Sequence, residues 1–132
     1  MTREEVERDI EQNLGLVPRW FDAVPDAVIE NEWATMRDFQ LSDQTAIPPK
    51  YKELMGLAVS GATRCSYCAY FHTEAARLFG ATEEEIAEAA MMSKQTMGWS
   101  SYLNAMKLDY DEFCAEFDRV VAHVGKQMEA AG

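Results

Sequence analysis

A long apolar run is missing from this sequence: the longest mainly apolar stretch, LMGLAVSGA, is far shorter than the ~20 residues a helix needs to cross a bilayer. No membrane-spanning segment is expected. The opening MTREEVERDIEQ also lacks the apolar core of a secretory signal, so a cytoplasmic location is expected. Positive charge is scarce. Twelve Lys and Arg stand against 23 Asp and Glu, a formal net charge of −11, which repels phosphate backbones and anionic lipid headgroups and serves solubility. Neither a nucleic acid nor a membrane surface is an expected partner. Cysteine is sparse as well, and three residues in a reducing cytosol do not make a disulfide framework. Period-two alternation, low-complexity tracts and clear internal repeats are likewise missing, so neither a β-fold nor a repeat array is expected.

What is present reads as helix. The 132 residues, 48% of them hydrophobic, suit a single domain spanning 1–132 that buries a core without staples. Thr2 with Glu5, Thr82 with Glu85 and Asp109 with Glu112 each place a capping side chain three residues before a glutamate, which marks three helix starts. VPDAVIENEWATMRDFQ predicts a helix after Pro25, and IPPKYKELMGLAVS another with prolines in its first turn, ending at Gly61. Thr63 is then expected to cap a helix through RCSYCAYFHTEAARLF, stopped by a left-handed Gly80. LSDQTAI and the Gly/Trp/Ser region around Trp99 read as the longest linkers. Cys114, Phe117, Val121, Val124 and Met128 form one apolar stripe on the last helix, which predicts that it packs or dimerises. The class is all-α. Several amphipathic helices in so short a chain offer more apolar faces than one small bundle needs, so a symmetric homo-oligomer is expected.

One short stretch carries chemistry: RCSYCAYFH, from Arg64 to His72. On one helix, positions 65, 68 and 72 fall within an arc of about 60°, and residues three apart have α-carbons about 5 Å from each other, within reach of a disulfide. Cys65 and Cys68 are thus able to cycle between dithiol and disulfide. His72, one turn beyond Cys68, is placed to take a thiol proton, and only the thiolate is strongly nucleophilic. An antiparallel helix pair would return Glu53 to the same face, where a carboxylate fixes the imidazole tautomer and favours its protonated form.

Two effects compete over which sulfur attacks. Cys65, near the helix start, feels unpaired N–H groups and the positive end of the helix dipole, with Arg64 beside it. Cys68 has the histidine. Dipole stabilisation is worth about 0.3–1 kcal/mol at exposed sites, whereas a positioned base contributes a factor of about 100 to 10,000 in rate. Cys68 is therefore expected to attack.

Glu53, eleven residues, Cys65-Ser66-Tyr67-Cys68, three residues and His72 together resemble the thiol-active branch of the carboxymuconolactone decarboxylase family, the AhpD-like alkylhydroperoxidases. The resemblance covers about Pro48 to Leu103, and LGLVPRWFDAVPDAVIENEW is similar to the N-terminal helical segment of many relatives. It implies an AhpD-like helical bundle assembled as a homotrimer or homohexamer, reducing hydroperoxides without flavin, haem or metal. By position it implies Cys68 as peroxidatic thiol, Cys65 as resolving thiol, and His72 with Glu53 as proton relay. Tyr67 stands where the best-known members often carry histidine. The implied electron source is an external dithiol: a lipoylated protein, thioredoxin or a small thiol.

Other readings stay open at this point. Two thiolates, an imidazole and a carboxylate also make four zinc ligands, although no second CxxC or HxxxH accompanies them. The chain also fits a redox-sensing or partner-binding module without turnover, or the lactone decarboxylase of the wider family, whose members generally lack this Cys pair. Cys114 reads as packing, His123 as helix surface, and Met91, Met92, Met97 and Trp99 as core or subunit-interface filling. The helical spacing yields a direct test: mild oxidation should join Cys65 to Cys68 within one subunit. A dominant linkage to Cys114, or one between subunits, in peptide mapping would refute the two-cysteine cycle.

Overall fold

The computed structural model describes residues 1–132 as a series of helices without strands. In chain order they are α1 (Arg3–Leu14), α2 (Arg19–Asp22), α3 (Ile29–Thr35) running directly into a π turn (Met36–Gln40), α4 (Pro49–Thr63), α5 (Ser66–Leu78), α6 (Glu83–Ala105) and α7 (Tyr110–Ala131). None is long and apolar enough to cross a membrane.

The local start signals act as expected. Thr2 and Thr82 each accept from the amide three residues on, while Glu5 and Glu85 return a bond to the cap backbone, and Asp109 accepts from the Glu112 amide. Each such cap is worth about 1 kcal/mol. Pro48 and Pro49 open α4, and Gly80, at φ +86°, follows the end of α5 in the left-handed conformation.

Four details depart from the sequence reading. The helix expected directly after Pro25 begins only at Ile29, because the Pro25 carbonyl first closes a turn with the amides of Val28 and Ile29. α4 passes Gly61 and ends at Arg64, a non-glycine residue at φ 55°. The cap of α5 is Cys65, not Thr63, which lies inside α4 and returns its hydroxyl to the Val59 carbonyl. The region around Trp99 is no linker: it lies inside the 23-residue α6. One interior glycine costs a helix only about 1 kcal/mol, which the surrounding helix formers offset.

Apolar burial is divided between two clusters. Val6 and Ile10 of α1, Phe21 of α2, Ile29 and Trp33 of α3 and Met36 form the first, with half-buried Phe71 of α5 packed against it. Leu57 of α4, Ala76 of α5 and Ile86 of α6 form the second. Complete burial of a side chain such as Ile10 or Ile29 contributes about 1.5–3 kcal/mol. Polar bonds lock the first cluster: Trp33 Nε1 donates to Asp9 Oδ2 at 2.6 Å, and Arg37 reaches the same oxygen at 2.5 Å. The indole bond, and then the guanidinium, hold the Asp9 carboxyl below its ordinary range.

α4 packs against both α5 and α6 and so occupies the centre of the second cluster. Its N-terminal end is tied to the preceding loop by Lys52, whose buried ammonium donates to the carbonyls of Phe39 and Ser42 and to Thr45 Oγ1. LSDQTAI is thus a loop as expected, but one pinned by a buried cation. α7 buries no residue within this chain: Phe117, Val121, Val124 and Met128 all remain exposed, as do Met91, Met92, Met97 and Trp99 of α6. The predicted stripe exists, yet the chain itself does not cover it, and the α6 side chains fill no core of this chain.

Candidate active site

The turn from α4 to α5 sets the positions of the two sulfurs. Arg64 reverses the chain in the left-handed region, and the Cys65 amide donates back to the Ser60 carbonyl at 3.0 Å, so α5 starts immediately. Cys65 is consequently the N-cap with extended backbone, φ −94° and ψ 105°, and its sulfur accepts from the Cys68 amide at 3.1 Å. The three residues do not all sit on one regular helix face, as the spacing predicted, because Cys65 stands just outside the helix. The pair is nevertheless within reach. Its α-carbons are 5.3 Å apart and the two sulfurs form a disulfide. Cys65 is half-buried, while Cys68 is exposed.

His72 follows one turn after Cys68, and its Nδ1 lies 2.5 Å from Glu53 Oε2 on α4. The antiparallel return inferred from sequence is therefore present. The Glu53 side chain is 0% exposed and that of His72 20%. A carboxylate so buried is costly without partners, and both its oxygens have one: Gln40 Nε2 donates to Oε1 at 3.1 Å. With a carboxylate against Nδ1, that nitrogen carries the proton and Nε2 presents its lone pair.

Gly56, three residues after Glu53, lies flat against the imidazole. A Cβ built there would stand 2.5 Å from His72 Nδ1 and 2.7 Å from Nε2, so only glycine leaves room for the ring. Buried Ser60 donates its hydroxyl to the Gly56 carbonyl at 2.6 Å, which satisfies its own polar group inside the helix. On its other side the ring meets Phe71 edge-on, with centroids 5.2 Å apart, and Phe71 in turn meets Trp20 at 6.3 Å.

Cys68 and His72 line the same cavity, of about 660 Å³, with walls from Trp20, Phe21, Val24, Val28 and Phe71. A second cavity of about 980 Å³ adjoins it across Trp20, Tyr67 and Phe71. Tyr67 is 89% exposed between the cysteines. Met91, Met92, Met97 and Trp99 line neither of these two cavities. Cys114 sits half-buried on α7 and His123 is exposed there, both outside the cluster. No three His, Cys, Asp or Glu side chains are grouped as a metal-ligand set.

The four residues singled out from the sequence thus divide into a disulfide, Cys65 with Cys68, and a hydrogen-bonded pair, buried Glu53 with part-exposed His72, joined through α5. Gln40, Gly56 and the aromatic wall went unrecognised in the sequence. Gly56 left a signal, a small residue on the face of Glu53. Gln40 left none.

The close approach at Gly56 has a measurable consequence. Gly56→Ala should displace the His72 ring, lower stability by about 1–3 kcal/mol through overpacking, and slow alkylation of reduced Cys68 at neutral pH by an order of magnitude or more. Gly98→Ala, inside α6, is the control, since an added Cβ there meets nothing within 4 Å. Wild-type thiol reactivity in the Gly56→Ala protein would show that the ring position does not govern Cys68.

Comparison with known proteins places the sequence and the fold. The carboxymuconolactone decarboxylase family model matches residues 23–109, which take in the π turn, α4, α5 and the whole cluster. A stretch of 62 residues is 34% identical to "uncharacterized protein 4 in cox locus" of Paracoccus denitrificans, covering 47% of this chain and 56% of that protein, so the match spans little more than half the relative's length. The crystal structure of the alkylhydroperoxidase AhpD core from Rhodospirillum rubrum superposes with a TM-score of 0.73 at 29% identity over 85% of each chain. By its sequence match and by this shared helical architecture, the chain is an AhpD-like member of the carboxymuconolactone decarboxylase family.

Proposed function

We propose that this protein is a thiol-dependent peroxidase that reduces organic hydroperoxides through Cys68 and Cys65. The observation that carries the reading is the contact of buried Glu53 with His72 at 2.5 Å, with the imidazole on the same cavity wall as Cys68. In this reading His72 Nε2 takes the Cys68 proton, and the thiolate attacks the terminal peroxide oxygen. The O–O bond breaks, Cys68 becomes a sulfenic acid, and the alkoxide leaves as alcohol with the proton from His72. The Cys65 thiol then condenses with the sulfenic acid, releasing water and leaving the disulfide. Glu53 holds Nδ1–H and stabilises the imidazolium between these steps.

An external dithiol donor, a lipoylated protein, thioredoxin or a small thiol, then supplies two electrons. Exposed Cys68 is the sulfur open to its attack, and expulsion of Cys65 is favoured because the Cys65 sulfur rests on the α5 amide of Cys68. The dipole and the base thus serve different sulfurs. The apolar cavity wall favours a hydroperoxide with a hydrocarbon body.

Hydroperoxide consumption with dihydrolipoamide, thioredoxin and small thiols tried in parallel tests activity and donor together. Cys68→Ser should abolish turnover, Cys65→Ser should leave a trappable sulfenic acid at position 68, and His72→Ala should slow the first step by about 100- to 10,000-fold at neutral pH. Rapid sulfenic acid formation at Cys65 in the Cys68→Ser protein would reverse the assignment. A redox sensor without turnover would oxidise and be reduced once but consume no excess hydroperoxide.

The same reading takes the protein as a homotrimer or homohexamer, supported by the uncovered apolar stripe of α7 and the exposed Met and Trp side chains of α6. Light scattering at micromolar concentration should give a trimeric or hexameric mass, and a monomer would refute the assembly.

A further inference from the structure

The buried carboxylate has a second partner that proton transfer to His72 does not by itself require. Gln40 donates from Nε2 to Glu53 Oε1 at 3.1 Å, while Oε2 faces His72 Nδ1. An ionised carboxylate only accepts, so the amide must present its NH2 group. Gln40 is the last residue of the π turn, a form of helix that is rare and concentrated at functional sites. Its backbone is held on both sides. The Leu41 amide closes the turn onto the Met36 carbonyl at 2.9 Å, and the Lys52 ammonium takes the carbonyls of Phe39 and Ser42. Lys52 and Glu53 are neighbours at the start of α4, and both are buried. One dipeptide therefore anchors the peptide segment around Gln40 and receives its side chain.

We propose that Gln40 is a positioning residue for the thiol site: its amide fixes the Glu53 carboxylate with Oε2 on His72 Nδ1, and so helps to set the pH at which Cys68 becomes reactive. The inference rests on the reading that His72 serves Cys68. An N–H donor favours the charged form of a carboxylate, and a charged carboxylate favours the imidazolium that forms when Nε2 takes the thiol proton. Without the donor, Oε1 is left buried and unpartnered, the carboxylate supports the imidazolium less well, and thiolate formation needs a higher pH. The other ionisable groups on this cavity are Glu32 of α3 and Tyr67 of α5, and Lys52 is engaged with the loop carbonyls. None of these replaces the Gln40 bond to Oε1.

Alkylation by iodoacetamide, followed across the neutral and alkaline range by peptide mass, tests this in a reduced Cys65→Ser background. Serine keeps the N-cap of α5, and Cys114 serves as reference thiol within the same protein. Gln40→Leu should move the midpoint for position 68 up by about one pH unit and slow the reaction about tenfold at neutral pH, while the alkaline plateau and the Cys114 rate stay as they were. Gln40→Met, unbranched and also without a donor, should do the same if the leucine variant folds poorly. A rate lowered by the same factor at every pH, or an unmoved midpoint in both variants, overturns the positioning role. Glu53→Gln, measured alongside, separates the two levels. If it moves the midpoint and the Gln40 variants do not, the proton relay stands and Gln40 is dismissed. If neither substitution moves it, the relay and this inference fall together. No hydroperoxide is involved, so the outcome is independent of peroxidase turnover.

Discussion

A carboxylate with no exposure to water, set against an imidazole 2.5 Å away, is the constraint around which this helical structure is arranged. Taking a carboxylate out of water costs several kcal/mol unless its oxygens are partnered, and breaking such a pair from one side leaves the cost without the gain. Hence the surroundings of Glu53 are specified to an unusual degree. Gly56 removes the one side chain that would push the ring away, the buried Ser60 hydroxyl is satisfied on the Gly56 carbonyl, and the π turn brings an amide to the remaining oxygen. Lys52, buried one residue earlier, holds the loop that carries this turn. Each of these groups would be an odd choice for a bundle that only needed to pack.

The same economy of placement separates the two cysteines. Two residues between α4 and α5 suffice to put Cys65 at a helix N-cap and Cys68 in the first turn, so one sulfur lies on a backbone amide and the other opens onto an apolar cavity with His72. Close spacing in sequence thus becomes chemical difference in space. The cavity wall is built from α2 and the segment before α3, elements whose other task is to close the N-terminal cluster, and Phe71 belongs to both. Packing of the N-terminal third and the shape of the thiol site are therefore coupled through one aromatic chain from Phe21 and Trp20 to Phe71 and His72.

Only 12 of 132 residues are buried in the chain taken alone, and the exposed apolar side chains of α6 and α7 are hydrophobic surface that this chain does not cover. The last helix keeps the regular stripe seen in its sequence and buries none of it. Amphipathic periodicity records that a face is meant to be covered, but it carries no information on whether the cover comes from the same chain.

Much that depends on hydrogen bonds between near neighbours was legible in the sequence: the caps at Thr2, Thr82 and Asp109, the prolines opening α4, the left-handed Gly80, the all-helical class and the reach between Cys65 and Cys68. The return of Glu53 to His72 was open to the sequence only on condition that the two helices run antiparallel, and the fold supplies the contact. Tertiary structure decided the rest. The sequence points to Thr63 as the cap of α5, and the backbone reversal at Arg64 gives that place to Cys65 instead. Gly98 looked like a break, but neighbours on both sides carry α6 through it. Gln40 gave no local sign at all, because its role exists only where a π turn from one element meets a buried carboxylate from another. Local sequence encodes bonds that close within one turn of chain, whereas a partner thirteen residues away is selected by burial, and burial is a property of the folded whole.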